Sequence, residues 1–488
     1  MPARHRHIRA LLVAGCAALL ALIAAAPAAS HGLRTGFADP EAFQRLDGAE
    51  RSAAYGHMRA ARGSVVRLVV NWRNVARLKP PTRQAARDPG WPGYEWSSVD
   101  GVVRDATAAG VDVLLSWAFA PDWAEGSRRR ASAPPGTWKP SASAYELFAE
   151  AAARRYSGRY RDASGQALPR VRYWQAWNEP NLSDFLTPQW TRRRGHWVAA
   201  SPTLYRHLLN AFYRGVKRAN RTNYVVSAGT APFAEPYPGA RRMPAALFTR
   251  ELLCVRGRQR PKPFRCSGSP VRFDALAHHP YPIGPPRRTA VNPDDVVIPD
   301  MWKLTRPLRA AMRAGKVAPR RPKGLWATEI SWDTKPPDPD GLRAGAVARY
   351  IEGALYTLWR QGVSVVTWWL MRDEPEGQGW GYTLQAGVFY RGASVAADQP
   401  KPGFYTFRFP FTAFTKRGVA QIWGLAPNRG GVTIEVRKGG RWRTLMRLRT
   451  RQGRMFVAAK RLDPGTPLRA RQGPDTSLAW RVGPNVTE

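Results

Sequence analysis

Cysteine is nearly absent: there are three in 488 residues, at positions 16, 254 and 266. Two cysteines beyond the N-terminal region, with no histidine pattern beside them, argue against a structural zinc site. Past residue 30 no stretch is long and apolar enough to span a membrane. No Gly-rich phosphate loop follows any candidate strand, which argues against a nucleotide-binding, doubly wound sheet. Internal repeats and low-complexity tracts are missing too. Negative charge is sparse, with 76 Lys and Arg against 35 Asp and Glu, a net charge of +41, and Arg outnumbers Lys about five to one. Such an excess suits contact with an acidic polysaccharide or an anionic cell wall. The basic residues are dispersed and no nucleic-acid motif appears, so no nucleic acid is expected as a partner. Most of the excess reads as an arginine-rich, solvated surface.

The chain opens with an export signal. "MPARHRHIRA" is a basic segment, "LLVAGCAALLALIAAA" an apolar one, and residues 26–30 offer small-residue cleavage positions. The expectation is a secreted protein that loses residues 1–30. An alternative is a lipid anchor on Cys16, because "VAGC" has the form of a lipoprotein cleavage box; the apolar run continues well past it, which opposes that reading. With Cys16 removed, Cys254 and Cys266 remain, and an even count in an oxidising compartment predicts one disulfide closing the loop "VRGRQRPKPFR".

From about Arg34 to Trp369, short apolar runs alternate with helical stretches. Strands are predicted at 33–38, 64–70, 111–117, 171–177, 224–229, 272–277, 324–329 and 363–369. Between them lie helix signals. Ser97 to Asp100 and Ser143 to Glu146 have capping-box form, Ser201-Pro202 reads as N-cap and N1, and an amphipathic run ends at Gly362. Eight strand–helix repeats predict a parallel sheet closed into a (β/α)8 barrel over 31–411. The character changes after Phe411. Six short alternating runs separated by "NRGG", "KGG" and "RQG" predict a small antiparallel β-sandwich over 412–488.

Two of the barrel strands end alike. "YWQAWNEPN" is an apolar run stopped by Asn178, Glu179 and Pro180, and "GLWATE" ends in Glu329. Proline cannot extend a ladder, so Glu179 stands at a strand's C-terminal lip, where barrel enzymes place their chemistry. By strand count Glu179 follows strand four and Glu329 strand seven, which puts them across the mouth from one another. Two carboxylates across a cleft are the minimum equipment for glycoside hydrolysis.

Asn-Glu-Pro after strand four with a second glutamate after strand seven resembles the clan A retaining glycoside hydrolases. The form "WNEPN" is similar to the cellulase-like and β-xylosidase/iduronidase-like branches. The resemblance covers roughly residues 33–411. It implies a cofactor-free, metal-independent enzyme acting on a carbohydrate, with Glu179 as general acid/base and Glu329 as nucleophile. It further implies substrate-site roles for Arg67 beside the nucleophile, Asn178 on the sugar 2-hydroxyl, and His279 and Tyr281 of "HHPYP". Trp368 is the expected sugar platform, with its neighbour Trp369 the alternative. The polar cluster some cellulases carry after strand three is replaced here by "SWAFAPDWA", so the sugar is left open. Asp122, Asp333, Asp373 and Glu374 lie in mouth loops, as substrate contacts or as caps and ion pairs. A rival reading is a non-catalytic carbohydrate-binding or scaffold protein on the same fold; both glutamates together with Arg67 and Tyr281 argue against it.

Overall fold

The structure, a computed structural model, describes residues 31–483 apart from 267, 378, 380–382 and 417. The export signal and Cys16 therefore lie outside the described residues. Eight parallel strands close a barrel: β1 (Arg34–Ala38), β2 (Val65–Asn71), β3 (Asp112–Ala118), β4 (Tyr173–Ala176), β5 (Tyr224–Thr230), β6 (Ala275–His278), β7 (Gly324–Ala327) and β8 (Val363–Trp369). β1 closes the ring by pairing with both β2 and β8. One principal helix follows each strand: α1 (Gly48–Ala60), α2 (Ser97–Ala108), α3 (Ala142–Arg155), α4 (Ser201–Ala219), α5 (Ala245–Leu252), α6 (Trp302–Arg313), α7 (Ala344–Arg360) and α8 (Pro402–Arg408). This is the architecture expected from the alternating pattern. No helix among the described residues is long and apolar enough to cross a membrane.

Three helix starts differ from their sequence signals. At α2 the Glu95 carboxylate accepts from the Ser97 N–H (3.0 Å) and from its hydroxyl (2.5 Å), so Ser97 opens the helix and does not cap it. At α3 the cap is Ser141, whose Oγ accepts from the Ala144 N–H at 3.3 Å, two positions before the predicted Ser143. Ser201 lies inside α4, and its hydroxyl donates to Gln189 Oε1 at 2.9 Å. In each case a nearby acceptor or hydroxyl competes for the same role. The sixth strand also starts later than predicted. Val271–Arg272 pairs with Val317–Ala318, and Asp274 turns its carboxylate onto the Val225 N–H (2.9 Å) and Lys217 (2.8 Å), which separates that ladder from the barrel.

Alternation along the strands sorts the side chains. Val65, Leu114, Val226, Ala275, Ala277, Trp326 and Val365 fill the barrel interior together with Tyr173 and Tyr224. The intervening residues face the helices; Trp117, for example, packs edge-on against Phe148 of α3 with ring centroids 4.9 Å apart. This parity decides which residues reach the mouth.

The C-terminal part comprises β9 (Phe411–Lys416), β10 (Val419–Leu425), β11 (Gly431–Lys438), β12 (Arg441–Arg449), β13 (Met455–Arg461) and β14 (Pro467–Gln472). β9, β10 and β13 form one antiparallel sheet, while β12, β11 and β14 head a second. Ile422, Ile434, Leu468 and Trp480 lie in the shared core. Phe414 and Trp423 pack on Tyr356 of α7, with centroids 4.8 and 5.7 Å apart. Cys254 and Cys266 form the expected disulfide.

Candidate active site

The mouth is built around one buried guanidinium. Arg67 lies on β2 with the inward parity of Val65 and is 1% exposed. A charge so deep needs every donor satisfied. Its Nε donates to Gln175 Oε1 (2.6 Å), Nη1 to Glu329 Oε1 (2.5 Å) and Nη2 to Asn178 Oδ1 (2.7 Å). One side chain thereby ties β2 to the ends of β4 and β7. Arginine has no acceptor, so Asn178 must present its oxygen to Arg67 and keep its amide N–H groups for another partner.

Glu179 reaches the mouth through an unusual turn. Trp177 and Glu179 both have positive φ, 76° and 34°. Non-glycine residues seldom adopt this conformation. Trp177 is swung outward onto Tyr145 of α3, and its indole N–H donates to the Phe185 carbonyl at 2.9 Å. The Glu179 N–H donates to the Gly229 carbonyl at 3.0 Å, which anchors the turn on β5. The aromatic run that precedes Glu179 thus supplies the packing that holds the strained segment.

Glu329 stands two residues past β7. Its Oε1 accepts from Arg67, and its Oε2 accepts from the Tyr281 hydroxyl at 3.0 Å. Burial, together with the two carboxylates, pushes the Tyr281 phenol well above its ordinary range, so it stays a donor. Glu179 has a different environment. Burial pushes its carboxyl up to about 7; Arg67 opposes the shift and Asp184 adds to it. The two glutamates are close: an oxygen of one lies within 4.8 Å of an oxygen of the other.

His279 sits between them, fully buried, with Nδ1 2.8 Å from Glu179 Oε1 and 3.6 Å from Glu329 Oε2. Burial pushes it down to about 3, so the ring is neutral and can donate through Nδ1. The ring fits only because residue 229 is glycine: a Cβ there would stand 2.0 Å from His279 Nε2. His278 points the other way, its ring nitrogens 2.8 Å from Thr230 Oγ1 and from the Val296 carbonyl. Glu179, His279 and Glu329 are spaced as a metal-ligating triplet would be. The Arg67 cation 2.5 Å from Glu329 already supplies the positive charge there, which disfavours a second cation.

Six of the seven expected residues thus meet at the mouth: Arg67, Asn178, Glu179, His279, Tyr281 and Glu329. Trp368 does not. It has the outward parity of β8, is 2% exposed, donates its indole N–H to the Ala386 carbonyl at 2.8 Å and packs near Phe407 of α8. Trp369, with the inward parity of Val365, is the half-buried tryptophan at the lip. Of the two adjacent tryptophans it is therefore Trp369, not Trp368, that faces the mouth. The loop acids behave as caps and ion pairs. Asp122 is exposed and pairs with Arg73, Asp333 accepts from the Gln385 N–H, Asp373 binds the buried Lys401, and Glu374 accepts from the Leu384 N–H. Two further residues, Gln175 and Gly229, shape the site. A polar residue on the inward parity of "YWQAW" is a usable signal for Gln175; Gly229 carries none.

No protein-family model matches the chain, and no curated protein matches it. Among solved structures, a family 39 glycoside hydrolase from the gut symbiont Bacteroides cellulosilyticus WH2 aligns with a TM-score of 0.50 at 14% identity, over 88% of this chain and 82% of that one. The GH39 enzyme from Xanthomonas axonopodis pv. citri gives a TM-score of 0.48 at 13% identity, over 88% and 92%. The catalytic domain of GH30 xylanase C from Talaromyces cellulolyticus gives 0.44 at 10%, over 89% and 97%. At these identities the likeness is one of fold.

Proposed function

We propose that this chain is a secreted, retaining glycoside hydrolase acting on an oligo- or polysaccharide, with residues 31–411 as its catalytic unit and 412–488 as an accessory one. The observation that carries the reading is the pair of glutamates in unlike environments, with an oxygen of one within 4.8 Å of an oxygen of the other. Retaining enzymes hold their carboxyl groups about 5–5.5 Å apart, and inverting enzymes need about 6.5 Å or more to admit a water. Glu329, with both oxygens receiving hydrogen bonds from Arg67 and Tyr281, is positioned to attack the anomeric carbon. Glu179, protonated to about pH 7, gives its proton to the departing oxygen and then activates the water that releases the sugar. Asn178 offers its amide to a sugar hydroxyl. His279 orients Glu179 through Nδ1. No step needs a metal or an organic cofactor.

The test is product stereochemistry. Across a panel of α- and β-aryl glycosides, proton NMR during the first minutes should show release of the anomer that matches the substrate. First-formed product of opposite configuration would sink the retaining assignment, and no turnover with any glycoside would sink the enzyme itself.

The two tryptophans provide a second prediction. Trp369→Ala should lower kcat/KM about two- to tenfold, the scale of losing one aromatic stacking contact, with little change in Tm. Trp368→Ala should instead lower stability by about 3–5 kcal/mol, because it opens a cavity between barrel and helices. Kinetics paired with denaturant unfolding separates the two, and the reverse pattern would return the platform to Trp368.

A further inference from the structure

The C-terminal sheets carry a charge that the barrel chemistry does not use. Between residues 412 and 488 there are sixteen Lys and Arg against four Asp and Glu. The pairing register shows where several of them go. Val432, Ile434 and Val436 of β11 are buried in the sandwich core, so Thr433, Glu435 and Arg437 face outward. Across from these outward positions stand Arg447, Trp442, Arg469 and Arg471, with Arg449 beyond them opposite Gly431. One face therefore presents five arginines and Trp442 around a single carboxylate. Glu435 accepts from Arg469 Nε (2.6 Å) and Arg471 Nε (2.8 Å), which fixes two of the guanidiniums and leaves the face strongly positive. Arg469 also stacks on the Trp442 ring at 4.5 Å.

At the edge of this face, beside α7, is a cavity of about 330 Å³. Trp442 and Trp480 line it together with Arg349, Arg437 and Arg481. Among the described residues neither Arg437 nor Arg481 has an ion-pair partner; each donates to a backbone carbonyl, of Gly440 and Gly465. Arg349 donates to Glu352 at 3.2 Å. Burial pushes that carboxyl up to about 8, so at neutral pH it accepts the hydrogen bond without cancelling the charge of Arg349.

We propose that this face and its cavity form a second glycan-binding site, separate from the barrel mouth, for a polysaccharide whose sugars carry carboxylates. A pyranose packs its C–H face on an indole, and a guanidinium grips a carboxylate in a planar, bidentate way. A uronate residue needs both within one ring's reach, and the cavity sets Trp442 beside Arg437 and Arg481. Single-stranded nucleic acid would use a run of aromatic platforms along a basic groove; here Trp480 is buried and Trp442 alone is open for stacking. The choice of a glycan over other polyanions rests on the glycosidase reading of the barrel.

The full chain, run by affinity electrophoresis through gels containing polygalacturonate, should be retarded far more than in gels containing neutral hydroxyethyl cellulose. Salt should weaken the retardation. Arg437→Ser combined with Arg481→Ser should raise the dissociation constant about tenfold or more, as should Trp442→Ala, with turnover of a small aryl glycoside unchanged. Independently of any variant, polygalacturonate should protect Arg437 and Arg481 of the wild-type protein from phenylglyoxal, read by peptide mass mapping. Equal retardation in both gels, wild-type affinity in the double variant, absence of protection, or tighter binding of oligothymidylate than of polygalacturonate would each overturn the proposal. Polyuronate binding without glycoside turnover supports this surface and removes the barrel reading; turnover without such binding does the reverse.

Discussion

Glu329→Ala should reduce turnover by at least about 10⁴-fold, the scale on which loss of a catalytic nucleophile is felt, and azide or formate should restore product formation with inverted configuration. The expectation follows from what the substitution leaves behind. Arg67 remains buried and loses its 2.5 Å carboxylate partner, while Tyr281 loses the acceptor of its hydroxyl. The vacated volume is small, lined by a cation and a hydroxyl donor, and suited to a small anion. An azide there attacks the anomeric carbon from the side that Glu329 used and cannot be displaced by a second inversion, so the glycosyl azide carries the opposite configuration. Turnover within a few-fold of wild type, or rescue with retained configuration, would remove Glu329 from the nucleophile's place.

Most of this constellation was legible because its members sit at strand ends whose apolar runs are easy to find. The carboxylates of Glu179 and Glu329 interrupt such runs, and the pattern of eight repeats places them across one opening. The sequence was less informative wherever parity or competition decides. "VSVVTWW" is apolar on both faces, so nothing in it distinguishes Trp368 from Trp369; only the inward position of Val365 in the folded barrel does. The caps differ for a related reason, since Glu95 and Gln189 accept from Ser97 and Ser201, which carry two of the signals, and Ser141 takes the third cap in place of Ser143. Gly229 illustrates the limit most clearly. Its lack of a side chain matters only because the His279 ring, fifty residues later in the chain, comes to rest against it. The left-handed turn at Trp177 and Glu179 is equally silent in a sequence with no glycine there.

Glu179 yields the other large effect, and its sign is set by burial. Its carboxyl is raised from 4.5 to about 7, so it keeps its proton on the acid side of neutrality and loses it as pH rises through about 7. For substrates with poor leaving groups, kcat/KM should fall on an alkaline limb with an apparent pKa near 7. Glu179→Ala should lower turnover of such substrates by about 10²–10⁴-fold, the usual contribution of general acid catalysis, and should spare the glycosylation step of activated aryl glycosides. Azide should rescue this variant with retained configuration, because Glu329 still performs the first displacement. The same shift acts on stability. A carboxyl whose folded pKa lies above its unfolded value contributes stability that is complete below about 4.5 and is lost as pH rises through about 7. The loss amounts to about 3 kcal/mol if the whole shift is realised. Glu352, raised to about 8, and Asp373, raised to about 6, add losses of the same sign, so the wild-type curve alone cannot isolate Glu179. Glu179→Gln can: it keeps the shape of the side chain and cannot ionise. The stability difference between Gln variant and wild type should therefore move in the variant's favour between about pH 4.5 and pH 7.5, in urea unfolding at each pH. A difference that stays flat across that range would mean that Glu179 is ionised at neutral pH, and with it the acid role assigned to that carboxyl would fall.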